Sequence, residues 1–418
     1  MMHKTFKFRL LPTSAQETAL CQTLETCRGV YNSLLHQRKH DYELFGRSPS
    51  CSEQQKQLPL WKQTHPELRE VNAQVLQNVA VRVDLAFTAF FRRVKAGENP
   101  GYPRFKGKGQ YDSLTYPQVG EHGGAHLADE GLYLSKLGIL KIVLHRPLEG
   151  KAKTCTLRRQ GEKWYACFCC EVQAQPLPPS QKQVGMDVGL EKFAALSTGE
   201  CVENPRFLRK DEKALAKVQR KFDKVQLTPR SKAHRKAKKV VRRIHERIRN
   251  RRHDFVHQTA RKLVNTYGLI AVEALHVQHM SRRPAPKQDE ASGEYLPNGR
   301  AAKAGLNKSI SDASWSRFRS VLMQKAESAV RVVIAVNPAY TSQDCSECGN
   351  RVPKALTERV HVCLCCGLVL DRDVNAARNI LRIAQSVLEI AVGQHSVPDG
   401  QERSPNIFVW GVVTISET

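Results

Sequence analysis

The chain has 418 residues, 41% of them apolar, and carries 66 Lys and Arg against 40 Asp and Glu for a net charge of +26. That length exceeds one ordinary core and that apolar content excludes a disordered chain, so two or three domains are expected. No apolar run reaches the roughly 20 residues that span a bilayer, and the opening MMHKTFKFRLLP lacks a signal peptide's apolar core, so a cytoplasmic protein with a polyanionic partner is expected.

Residues 4–11, KTFKFRLL, alternate apolar and basic as a half-buried strand does. Pro12 ends it, and Thr13 or Ser14 can cap a helix whose stripe runs Leu20, Leu24, Tyr31, Leu34 and Leu35. A second stripe, Val75, Val79, Val83, Phe87, Phe90 and Val94, marks another long amphipathic helix. After the Pro/Gly-rich ENPGYPRFKGKGQ the period becomes two, and LYLS, GILKIVLHR, TCTLRRQ and KWYACFCCEV read as successive antiparallel strands. Residues 1–175 are therefore expected to form a β-barrel or sheet with a helical insertion over about 12–110. The polar, Pro-rich QPLPPSQKQ (175–183) is a linker and a domain boundary.

From Val184 the texture changes. VGMDVGL and FAALSTGE read as two strands joined by a tight turn. Residues 206–252 then hold twenty Lys and Arg against four acids, so +16 of the net charge sits in 47 residues. Leu215, Val218, Phe222 and Val225 make one helical stripe, and Val241, Ile244 and Ile248 another, with LTPRS between them. The result is a helical hairpin with one packed edge and wide basic faces. A merely solvated face interleaves both signs, whereas this one favours phosphate tracking, with Arg235, Lys238, Lys239, Arg242 and Arg243 as contacts. GLIAVEAL is an apolar strand ending in Glu273, and 280–310 reads as a mobile loop. A helix over 314–329, the strand RVVIAVNP, two cysteine pairs and the helix DRDVNAARNILRIAQSVLEIA follow. The tail, 393–418, has no legible pattern and is expected to be disordered.

Two acids on strands and one at a helix start suit phosphodiester hydrolysis. That reaction needs charge neutralised on the phosphate and a water activated. Two Mg²⁺ ions roughly 4 Å apart supply both, and such hard cations take carboxylate oxygens. Asp187 lies in an apolar strand between Gly185 and Gly189, and Glu273 among Ile270, Ala271, Val272 and Leu275. An unpaired carboxylate buried there is costly, which favours ligation. Asp373 opens the last helix. Singly, the three read equally well as a turn residue, a strand-end charge and a first-turn acid; their joint order on strand, strand and helix is what points to catalysis.

The cysteines divide sharply. Cys345, Cys348, Cys363 and Cys366 form two C-x-x-C pairs, each followed by the glycine that such turns favour, and fit one tetrahedral, structural Zn²⁺. Cys365 is a spare thiol, and the spacing from Cys363 selects Cys366. The other cysteines, Cys167, Cys169 and Cys170 included, read as packing in a reducing compartment.

The blocks GMDVGL, VEAL, TSQDCSECGN with HVCLCCG, and DRDVNAARNI occur in that order. With KTFKFRLLPTSAQ and PRFKGKG they resemble, over nearly the whole chain, the TnpB (OrfB) family of transposon-encoded proteins related to type V CRISPR effectors. The resemblance implies a multidomain α+β protein whose second part, 184–392, is a RuvC-like, RNase H-type nuclease domain with a zinc ribbon inserted at 340–368. It implies Asp187, Glu273 and Asp373 as the catalytic, Mg²⁺-holding acids, with Asp371 set aside because the D-x-N-A-A pattern selects Asp373. It also implies a guide RNA, a short motif read in duplex DNA beside the target, and DNA cutting directed by RNA–DNA pairing. Tyr102, Arg104, Phe105 and Lys106 are candidate nucleic-acid contacts, although PRFKGK reads equally as a plain loop with a packed Phe. Two rivals remain: a strand-transferring transposase, whose acids usually run D, D, E where this chain has D, E, D, and a regulator that binds without cutting.

Overall fold

A computed structural model describes residues 2–98, 100–226, 231–289, 292–355, 357–393 and 408–410. The chain divides into two compact units, residues 1–173 and 174–418.

The first unit opens with β1 (Met2–Leu11), then α1 (Ser14–Phe45), α2 (Cys51–Thr64) and α3 (Ala73–Lys95). Thr13 caps α1 in a reciprocal capping box with Gln16, and the expected stripe of Leu20, Leu24, Tyr31, Leu34 and Leu35 is buried. Helix α2 has no stripe strong enough to mark it in the sequence. It is set by a second capping box, Ser50 with Glu53, and by a polar knot: buried Arg38 of α1 reaches Gln54 of α2 at 2.9 Å and Asp84 of α3 at 2.9 Å. A buried guanidinium needs such partners, so this knot fixes how the three helices meet.

Six further strands follow: β2 (Ser113–Tyr116), β3 (Ala125–Ala128), β4 (Gly131–Leu134), β5 (Gly138–Val143), β6 (Lys151–Gln160) and β7 (Lys163–Val172). They join β1 in an antiparallel sheet of order β2-β6-β7-β1-β5-β4-β3. The expected barrel or sheet is thus a curled half-barrel. Strands β2 and β3 are edges; no ladder joins them, although Val119, just past β2, bridges Ala125 of β3. At four residues each they offer little ladder to close on, and the helices pack into the same core as the sheet, so the fold is half of a barrel.

The second unit has the mixed sheet β10-β9-β8-β11-β14-β17. Its strands are β8 (Gln183–Val188), β9 (Lys192–Leu196), β10 (Cys201–Glu203), β11 (Leu269–Glu273), β14 (Val332–Val336) and β17 (Phe408–Trp410). Strands β8, β9 and β10 form an antiparallel meander, and β11 and β14 run parallel to β8. The central strands are apolar on both faces because both are covered. Val184, Met186, Ile270, Val272 and Val333 face one cluster, shared with α5 (Lys232–Thr266), α7 (Arg300–Ala313) and α8 (Trp315–Ala329). Leu269, Ala271, Ile334 and Val336 face the other, shared with α9 (Arg372–Gly393).

Helices α4 (Phe207–Gln226) and α5 form the basic hairpin. Leu215 and Ile248 are buried at its packed edge, and α5 continues past 252 to sink Val256, Ala260, Leu263 and Val264 into the core. The 280–310 region is more ordered than its composition suggests. After the short α6 (Val277–Met280), a small hairpin of β12 (Lys287–Gln288) and β13 (Tyr295–Leu296) leads into α7, where the Ala- and Lys-rich run RAAKA outweighs Gly305. Strands β15 (Val360–Val362) and β16 (Val369–Asp371) pair on either side of Cys363 and Cys366, and β16 leads into α9. In the tail, 408–410 pair with β14. Residues 227–230, the Val225 side chain and the rest of the tail beyond 393 lie outside the described residues.

Candidate metal centres and nucleic-acid surfaces

Sheet alternation decides where the acids go. In β8 and β11 the pairing runs Gly185 with Ala271 and Met186 with Val272, and one step further stand Asp187 and Glu273. Asp187 shares a face with Gly185, and Glu273 with Leu269 and Ala271, so both belong to the face covered by α9. Gly185 lets that helix come close: a Cβ there would lie 1.9 Å from the Ala377 carbonyl oxygen. One turn before Ala377, in the first turn of α9, is Asp373.

The electrostatics follow from this crowding. The Asp187 and Glu273 carboxyls share a hydrogen bond. Burial, then the charges of Glu273 and Asp373, hold Asp187 far above the usual carboxylate range. Glu273 is raised as well, chiefly by burial, against the hydrogen bonds it receives from Asp187 and the Val188 backbone. Arg372 brings positive charge, with Nε and Nη2 each 3.3 Å from one Asp373 oxygen and Nη1 2.9 Å from the Glu358 carbonyl. Two buried carboxyls reluctant to ionise, with Asp373 near enough to raise both, offer oxygens of the kind hard divalent cations take, although among the described residues only the four cysteines have ligand atoms all within 4.8 Å of one another.

Asp371 has a different job. Its Oδ1 accepts from the Asp373 and Val374 N–H groups at 2.9 and 3.3 Å, and its Oδ2 takes the Lys192 ammonium at 2.8 Å. It caps α9 and leaves Asp373 free of that task. Neither Lys192 nor this capping role is legible in the sequence, where Asp371 is only the acid that the D-x-N-A-A pattern passes over.

The four paired cysteines meet: the Sγ atoms of Cys345, Cys348, Cys363 and Cys366 all lie within 4.8 Å of one another. Cys345 and Cys366 are 3.6 Å apart and Cys348 and Cys363 3.5 Å, near the ~3.8 Å edge of a tetrahedron with Zn–S bonds of about 2.3 Å. Two equal loops build the cluster. Gly349 N–H donates to the Cys345 carbonyl and Cys345 N–H to the Asn350 carbonyl; Gly367 and Leu368 repeat the pattern around Cys363. Both glycines have φ near +77°, where a side chain would be strained. Backbone N–H groups of Cys366 and Cys365 aim at the Cys363 sulfur and draw its pKa down to about 6 against burial. The cluster is consistent with a zinc site, and Cys365 stands exposed outside it.

The candidate nucleic-acid residues are scattered over surfaces. Tyr102 packs edge-on against Phe87 and Phe90, with ring centroids 5.6 and 5.4 Å away. Arg104 and Phe105 are exposed. Lys106 is pinned to α1 through its backbone, donating to Asn32 and accepting from Arg28 and Asn32, with its ammonium over the Tyr31 ring. The loop is therefore held in place while two of its side chains point outward. On α5, Arg235, Lys238, Arg242 and Arg243 are exposed and Lys239 is half-buried. Further along the hairpin, Arg247 and Arg251 pair with Asp211, and Arg252 with the buried Asp312.

Residues 167–283 match the family described as "Probable transposase" (OrfB_IS605), and residues 315–380 match the Cas12f1-like TNB domain. Residues 1–47 match a domain described as helix-turn-helix, although here they fold as one strand and one 32-residue helix. The Escherichia coli K12 protein "Putative RNA-guided DNA endonuclease InsQ" is 33% identical over 92% of this chain and 93% of its own length. The chain belongs to the TnpB (OrfB, IS605) family. A Streptomyces pristinaespiralis protein, "Putative RNA-guided DNA endonuclease", is also 33% identical, over 90% of this chain and 88% of its own. Among solved structures, that titled "Cryo-EM structure of the Cas12f1-sgRNA-target DNA complex" aligns with a TM-score of 0.52 at 13% identity, covering 91% of this chain and 98% of that one. The TnpB fold thus extends to a Cas12f-like architecture. No described helix of this TnpB-family chain is long and apolar enough to cross a membrane.

Proposed function

We propose that this chain is an RNA-guided DNA endonuclease, active in the cytoplasm, that hydrolyses DNA at sites paired with a bound guide RNA. The position of Asp187 and Glu273 on the sheet face that α9 covers, with Asp373 in that helix's first turn, carries the reading. The order β10-β9-β8-β11-β14, an antiparallel meander followed by parallel strands, supports a RuvC-like, RNase H-type nuclease domain over 184–392. Family membership and relatives named for this activity support it further.

In this reading the three acids hold two Mg²⁺ ions, which when bound neutralise the scissile phosphate and activate water. Asp187 and Glu273 are fixed by the strands, so their oxygens are already gathered before substrate arrives. Arg372 balances part of the charge at Asp373. Cys345, Cys348, Cys363 and Cys366 hold one structural Zn²⁺ in a ribbon over 340–368, with no place left for substrate. The basic α4–α5 hairpin follows the RNA–DNA backbone through Arg235, Lys238, Lys239, Arg242 and Arg243. The first unit, with Tyr102, Arg104, Phe105 and Lys106, takes the RNA scaffold and flanking duplex.

Purification from cells that also express the sequences flanking the gene, with sequencing of the bound RNA, tests this directly. A defined RNA should co-purify, its free end should specify a target, and that target should be cut in Mg²⁺. Asp187→Ala should lower cutting on the order of 10³-fold while RNA binding persists. Absence of a specific RNA overturns the guided reading, and joined strands in place of hydrolysed ends would make the protein a strand-transfer enzyme.

A further inference from the structure

Helix α9 carries two side chains that the proposed chemistry does not use. Asn375 and Asn379 are buried, at 0% and 1% exposure, one turn apart. A buried amide is costly unless its donors and acceptor are met. The Asn375 Oδ1 accepts from the Ser346 N–H at 2.9 Å, and its Nδ2 donates to the Asp344 carbonyl at 2.8 Å. These partners stand on either side of Cys345, so one amide brackets the first sulfur ligand. The Asn379 Nδ2 donates to the carbonyls of Thr341 at 2.9 Å and Asp344 at 2.6 Å, and its Oδ1 accepts from Arg382 at 3.2 Å.

The second cysteine pair is tied to the same helix start. Arg372 N–H donates to the Arg359 carbonyl at 2.8 Å, and its guanidinium reaches the Glu358 carbonyl at 2.9 Å. The first turn of α9, which contains Asp373, is therefore fastened to the four-cysteine segment on two sides. That segment has little apolar core of its own. Of its described residues Thr341, Cys345, His361 and Cys363 are the buried ones, so the sulfur cluster is what gives it shape. Every hydrogen bond from the two asparagines to the segment ends on its backbone, beside the loop that presents Cys345.

We infer that Asn375 and Asn379 are positioning residues, which pass the order of the four-cysteine site to Asp373 and so set the affinity of the carboxylate site for divalent cations. The inference rests on the nuclease reading of those carboxylates. Side chains that orient ligands from behind are worth 10–100-fold in metal affinity, and Asn375 stands two residues from one such ligand and against another. The two metal sites are then coupled: zinc at the cysteines favours magnesium at the acids.

Mn²⁺ binding to the full-length, RNA-free chain, followed by electron paramagnetic resonance with Asp187→Ala as the blank, tests the coupling. Asn375→Ala with its zinc retained should bind Mn²⁺ about 10–100-fold more weakly. Wild-type protein stripped of zinc should show the same loss, and stripping the variant should add little. In the guided complex the Mg²⁺ midpoint for cleavage should move by a like factor, with the maximal rate regained at saturating Mg²⁺. A merely structural role would lower the melting temperature without moving that midpoint. Asn379→Ala is the second variant should Asn375→Ala not fold. Unchanged Mn²⁺ affinity in a folded, zinc-loaded variant, or in zinc-stripped wild type, overturns the coupling alone. A wild-type chain with no Asp187-dependent Mn²⁺ site overturns the nuclease reading and the coupling with it.

Discussion

The four cysteines fall between residues 345 and 366 in two loops that repeat the same hydrogen bonds and the same left-handed glycine. The three carboxylates come from positions 187, 273 and 373 and share no local motif. One site is made by the conformation of its own loops. The other exists only if two strands pair in one register and a helix approaches to backbone contact. The cysteine loops therefore carry their own ligand geometry even though α9 fastens them, whereas a distant site is exposed to anything that shifts a strand or a helix.

The sharpest way to break this contrast is Gly185→Ala. Its Cβ would need the Ala377 carbonyl, 1.9 Å away, to retreat by about 1 Å or more, and a misplacement of that size costs on the order of 10²-fold in rate. Cleavage should fall by that factor while bound zinc, measured by elemental analysis, stays at one per chain. Loss of zinc as well would mean that the two sites fold as one.

A smaller effect concerns charge. Asp187 and Glu273 have folded pKa values raised above their unfolded ones, so between the two values the native state holds protons that the unfolded chain has released. Stability from these groups is thus full below the ordinary carboxylate pKa of about 4 and is lost as pH rises through the raised values. Without added divalent cations, Asp187→Asn should flatten that decline and raise the melting temperature at pH 8 by about 2–4 °C for each kcal/mol recovered. Mg²⁺ should stabilise wild type more than the variant. Thermal unfolding across pH reads both, and a wild type whose stability is indifferent to pH and Mg²⁺ would deny that the acids are strained.

The smallest expected effect is none. Cys365→Ser should keep full zinc, because Cys365 lies outside the sulfur cluster, whereas Cys366→Ser should lose it. The reverse result would show that the spacing from Cys363 misleads.

Much of the fold is legible in the sequence for physical reasons. The capped, striped α1 and the long α3 are visible because each buries one face at helical spacing. Helix α2 is hidden because a buried polar knot and a cap hold it, with only Gln54 and Leu58 buried along its length. Strands β2 and β3 escape notice because four residues carry almost no alternation, and without them a half-barrel looks like a barrel. Helix α7 reads as loop because the Pro- and Gly-rich stretch before it obscures its start.

The sequence by itself determined the sulfur cluster, the basic charge of the α4–α5 hairpin and the set of acids worth suspecting, since each is written in spacing or composition within a few turns of chain. Only the tertiary structure decided that Asp187 and Glu273 share the face that α9 covers, that Asp371 caps that helix while Asp373 does not, and that two asparagines bind the sulfur segment to it. Those facts depend on strand register and on one glycine's close approach, interactions between residues up to about two hundred positions apart that no local pattern encodes.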